Sequence, residues 1–126
     1  MKIFKCRICG NVVMLLENGG GELVCCGQPM EELIAKENNE GMEKHIPVIK
    51  VDGSHVTVEV GSIAHPMIET HYITKIFAVY NGKTLTLSLQ PNQEPKVEFD
   101  IIESFNTLEI YEHCNIHDLW KATYIK

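Results

Sequence analysis

A chain of 126 residues, 44% hydrophobic and 22% charged, can bury one good core, or a modest core beside a small metal-stapled module. Its formal net charge of −6 argues against a nucleic-acid partner gripped through phosphates, but leaves room for an anionic small substrate at a locally positive site. Met1-Lys2-Ile3-Phe4-Lys5-Cys6 lacks the apolar run of a signal peptide, and no stretch approaches the roughly 20 apolar residues of a membrane helix, so the chain reads as cytoplasmic with no membrane partner.

The first 36 residues are dense in cysteine and glycine. Cys6-Arg7-Ile8-Cys9-Gly10 is a metal knuckle: two residues between the cysteines let the backbone curl until both sulfurs face one ion. The glycine that follows relieves crowding where backbone amides turn toward sulfur. Gly19-Gly20-Gly21 separates two short apolar runs, Val12 to Leu16 and Leu23-Val24, and Cys25-Cys26-Gly27 then completes four thiolates. Adjacent side chains normally diverge, so binding both Cys25 and Cys26 forces the sulfur–metal–sulfur angle from its ideal. Four thiolates suit zinc or a single iron, and a zinc knuckle that staples a small domain is the plainer alternative. An odd count of five cysteines in a reducing compartment argues against a disulfide framework, and a bridge between adjacent cysteines would be strained.

Lys36-Glu37-Asn38-Asn39-Glu40-Gly41 is polar and aperiodic, a linker dividing residues 1–36 from 37–126. Beyond it the hydrophobic period is two: Val56, Val58 and Val60 alternate with polar residues, as do Leu85, Leu87 and Leu89, then Val97, Phe99 and Ile101. Asp52-Gly53, Asn81-Gly82 and Pro91-Asn92 punctuate these runs. The pattern predicts seven strands, over 46–51, 55–60, 72–80, 84–89, 96–101, 107–113 and 120–125. Seven short strands without a helical stripe give a mostly β fold, a four-cysteine metal-bound module followed by an immunoglobulin-like β-sandwich.

Six histidines remain to be placed. Cys114-Asn115-Ile116-His117 sets a thiolate and an imidazole three residues apart at a strand end, His65 and His71 flank a segment leading into another strand, and His45 ends the linker. All four histidines fall at loop–strand junctions, where a sandwich can converge side chains from distant sequence. His55 starts a strand without such company and reads as surface, and His113 should point away from Cys114 because neighbours in extended backbone face opposite ways. Four imidazoles and one thiolate are too many ligands for tetrahedral zinc, but suit iron with one octahedral position open.

These residues together resemble the desulfoferrodoxin family of two-iron superoxide reductases. Cys6-x2-Cys9-x15-Cys25-Cys26 is similar to its desulforedoxin module, and Glu43-Lys44-His45, His65-Pro66-Met67, His71-Tyr72-Ile73 and Cys114-Asn115-Ile116-His117 resemble its catalytic core. The resemblance implies two iron ions per chain, one held by Cys6, Cys9, Cys25 and Cys26, the other by His45, His65, His71 and His117 with Cys114 axial. It implies one-electron reduction of superoxide to hydrogen peroxide at an open sixth position, without dioxygen. Lys44 would attract the anion and organise water for its protonation, and Glu43 would close the site after turnover; their plain alternatives are ordinary loop charges. An electron donor such as a rubredoxin-like protein and a homodimer are implied as partners. Relatives often carry an aromatic residue where this chain has Lys75, and glycine where it has Asp118. Asn115 is read as shaping the surroundings of Cys114, and Trp120 as core. A non-enzymatic electron carrier and a zinc-stapled interaction module compete; a carrier has no need of an open coordination position, and a zinc module leaves the four histidines around Cys114 unexplained.

Overall fold

Alternation in sequence becomes alternation in burial. The computed structural model describes residues 1–37 and 44–126, and among them the regular elements are all strands. The backbone divides into two units, Met1–Ile34 and Ala35–Lys126.

In the first unit, β1 (Lys2–Lys5) lies antiparallel between β2 (Val12–Leu15) and β5 (Glu31–Leu33), while β3 (Val24–Cys25) pairs with β4 (Gln28–Pro29). Its buried apolar interior is Ile3, Cys6 and Leu33, too little to hold a 34-residue unit alone. Arg7 clamps Glu31 with two hydrogen bonds, of 2.7 and 3.1 Å.

The second unit stacks the sheet β10-β7-β6 and the sheet β12-β11-β8-β9, built from β6 (Pro47–Asp52), β7 (His55–Val60), β8 (Ile73–Tyr80), β9 (Lys83–Ser88), β10 (Lys96–Asp100), β11 (Thr107–Cys114) and β12 (Asp118–Ile125). These are the seven strands the pattern predicts. Asn81 and Gly82 both take positive φ (49° and 72°), the two-residue turn whose twist matches the flanking strands. Val56, Val58 and Val60 point wholly inward against Ile73, Ile76, Ala78, Leu108 and Ile110.

One irregularity positions the chemistry. The β11–β8 register runs His113↔Lys75 and then Cys114↔Ile73, leaving Thr74 as an extra residue in β8. That bulge resets the alternation, so Ile73 and Ile76, three apart, both face the core with Cys114. Cys114 and Asp118 then pair across a three-residue turn, Asn115-Ile116-His117.

Candidate metal centres

The sulfurs of Cys6, Cys9, Cys25 and Cys26 lie within 4.8 Å of one another, with Cys9–Cys25 at 3.6 Å and Cys25–Cys26 at 4.0 Å. Four sulfurs held tetrahedrally at 2.3 Å from one ion would be about 3.8 Å apart, so the cluster fits a single metal. The knuckle forms as its spacing requires: the Cys9 amide donates to Cys6 Sγ and the Asn11 amide to Cys9 Sγ, each at 3.5 Å, across Gly10 at φ 84°. The adjacent pair converges because Cys26 itself adopts the left-handed region (φ 54°), an uncommon conformation for a side-chain-bearing residue. Without a cation the thiols compete. The Cys9 amide draws Cys6 down to about 6, while the sulfurs of Cys9, Cys6 and Cys25 push Cys26 up to about 12. Four adjacent thiolates therefore require a metal charge among them.

The second cluster brings ligands together from three loops. His45 precedes β6, His65 and His71 lie between β7 and β8, and Cys114 and His117 bracket the β11–β12 turn. Neighbouring imidazole centroids are separated by 4.8 Å (His45–His65), 4.8 Å (His65–His71), 5.0 Å (His71–His117) and 4.7 Å (His117–His45), closing a ring. His45, His65, His117 and the buried Cys114 offer ligand atoms within 4.8 Å of one another. His65 Nδ1 sits 2.7 Å from the Pro66 carbonyl, which suits it as donor there and leaves Nε2 free to face the centre. The Nε2 atoms of His65 and His71 are buried and have no hydrogen-bond partner among the described residues. A buried imidazole nitrogen that carries a lone pair needs a proton donor, a water or a metal.

Electrostatics favour the last. Burial first, then the neighbouring imidazoles, lowers His45 to about 4; burial lowers His65 to about 4 and also depresses His71. These three are therefore neutral at pH 7, with a lone pair available. Burial raises the Cys114 thiol, and the His117 amide, donating to Sγ at 3.4 Å, works the other way. A cation would stabilise the thiolate that burial alone disfavours.

The desulfoferrodoxin family model matches residues 37–123, and the model of the desulfoferrodoxin N-terminal domain matches residues 1–33. The chain belongs to the desulfoferrodoxin family. A desulfoferrodoxin homolog of Archaeoglobus fulgidus is 46% identical over 122 residues, covering 97% of this chain and 96% of that protein. The desulforedoxin of Megalodesulfovibrio gigas is 61% identical over 28 residues, covering 22% of this chain and 76% of that one. The superoxide reductase of Treponema pallidum superposes with a TM-score of 0.79 at 28% identity, covering 96% of each chain. Two iron centres, one at the four cysteines and one at the histidine–cysteine cluster, follow for this chain.

Lys44 is exposed, and after burial and the neighbouring imidazoles its charge makes a small contribution to lowering His65 and His71. Glu43 lies outside the described residues. His55 is at the surface, 3.0 Å from Asp100. His113 stays out of the cluster, with Nδ1 2.7 Å from Thr74 Oγ1. Asn115 ties two ligand loops: Oδ1 accepts from the Tyr72 amide (2.9 Å), and Nδ2 donates to the Thr70 carbonyl (3.2 Å). Asp118 takes φ 67°, a region glycine occupies without strain and a side chain enters at about 1 kcal/mol.

Glu112 escaped the sequence reading, and Trp120 is core as expected but makes a further contact. Glu112 is wholly buried, its Oε1 3.6 Å from His45 Nδ1, and burial raises its carboxyl well above the ordinary range. A glutamate at the inward phase of β11, two before Cys114, was its legible signal. Trp120, taken as core, stacks on His45 with centroids 4.7 Å apart and planes 12° from parallel.

Proposed function

We infer that this chain is a superoxide reductase, taking superoxide, one electron and two protons to hydrogen peroxide and forming no dioxygen. The observation that carries the reading is the closed ring of four imidazoles beside the buried Cys114 sulfur. His45, His65, His71, His117 and Cys114 would hold the second iron. Iron bound there supplies the electron and an open sixth position for the substrate anion. Residues 1–36 form the four-cysteine iron domain and residues 37–126 the reductase domain.

The chain's own side chains prepare that site. The Pro66 carbonyl fixes the tautomer of His65. Asn115 holds the His71 loop against the Cys114 turn. Lys44 draws superoxide toward the ring and orders the water that protonates the product. Glu43 supplies the carboxylate that closes the position after turnover. An electron donor must restore the centre, and a rubredoxin-like protein fits that role. A homodimer in the cytoplasm is the proposed working form; among the described residues no helix is long and apolar enough to cross a membrane.

Metal analysis and rapid mixing test the reading. Two irons per chain, and one hydrogen peroxide per superoxide with no dioxygen evolved, are expected. Dioxygen at half the superoxide consumed would mean dismutation instead. Lys44→Ala should slow the second-order reaction about tenfold at low salt and flatten its ionic-strength dependence. An unchanged rate and salt slope would remove Lys44 from the mechanism.

A further inference from the structure

The ligand ring is backed by the chain's single tryptophan, which touches two ligands at once. Trp120 lies nearly parallel to His45, and its Nε1 donates to the His117 carbonyl at 2.9 Å. His45 and His117 are 72 residues apart in sequence and reach the ring on different loops, so one rigid indole fixes the tilt of the first and the turn that carries the second. The indole is itself pinned. Trp120 is buried opposite Glu112 across the β11–β12 ladder. The Lys36 amide donates to the Leu119 carbonyl (3.0 Å), the Lys121 amide donates to the Lys36 carbonyl (2.9 Å), and the Lys36 ammonium lies 4.9 Å from the indole centroid. A hydrophobic side chain that merely filled space would have no use for the donor aimed at the ligand turn or for the cation over its face.

We propose that Trp120, held by Lys36, is a positioning residue of the second iron centre, setting the orientation of His45 by stacking and of His117 through its carbonyl. The inference rests on reading the four imidazoles as iron ligands. Outer partners that orient metal ligands are worth about 10–100-fold in metal affinity.

Two variants separate the contacts. Trp120→Phe keeps a ring that can stack but loses the Nε1–H donor; Trp120→Leu loses both. Iron occupancy of the second site is read by chelator competition, and its reduction potential and thiolate-to-iron absorption band by spectroscopic redox titration, with the four-cysteine band as internal control. Trp120→Leu is expected to weaken iron binding at the second site about 10–100-fold. Trp120→Phe should keep most of the affinity but shift the band and the potential. Should Trp120→Leu not fold, Trp120→Phe decides alone. Wild-type band and potential in Trp120→Phe, with wild-type affinity in any folded Trp120→Leu, would overturn the proposal. A wild-type chain that binds no second iron would instead sink the ligand reading itself.

Discussion

Replacing Cys114 by serine is expected to erase the thiolate-to-iron band that appears on oxidation, and to slow the reaction with superoxide by at least about 100-fold. The magnitude follows from the hierarchy of metal sites: outer partners alone are worth about 10–100-fold, and a direct ligand exceeds them. The chemistry follows from the sulfur's setting. Cys114 is wholly buried in the sandwich core and receives the His117 amide at 3.4 Å, so its thiolate donates electron density from an enclosed position. A serine hydroxyl there keeps its proton and donates far less. The four-cysteine band must survive in this variant, which makes the loss specific to the second centre. Persistence of the oxidised band at its wild-type position, with an unchanged rate, would remove Cys114 from the site.

Stripping the metal from the first centre should unfold residues 1–34 while leaving the sandwich intact. The two units differ in what holds them. Val56, Val58, Val60, Ile73, Ile76, Leu108 and Ile110 form a dry interior between two sheets, whereas the first unit buries only Ile3, Cys6 and Leu33 among its apolar side chains. Its remaining stabilisation must come from the ion, and structural metal sites supply about 10 kcal/mol. With Cys26 held up to about 12 in the absence of metal, the four sulfurs cannot replace that attraction themselves. Hydrogen exchange on the full chain, with Cys9→Ser and Cys26→Ser combined, should show β1 amides unprotected and β8 and β11 amides still slow. Protected β1 amides in that variant would mean the small sheet stands without its metal.

Much of this was written locally. The knuckle Cys6-x2-Cys9 with its glycine, the period-two valines of β7 and the Asn81-Gly82 turn each report a conformation fixed by a few adjacent residues, so strand positions and the four-cysteine site could be read directly. His113 could be set aside from Cys114 for the same reason, since extended backbone alternates. The metal set of the second site was legible as residue types at strand ends, and the family likeness gave it order.

Only the tertiary structure decided what stands behind those ligands. Thr74 bulges out of β8, and nothing in the local sequence marks it, because a bulge is settled by register against a strand 39 residues away. Trp120 reads from the sequence only as core, and Glu112 draws no reading there. Their roles arise from cross-strand pairing and from His45 arriving on a loop that periodicity cannot trace. Side-chain types and local turns belong to the sequence, whereas which two distant groups share one face of a ring is a property of packing alone.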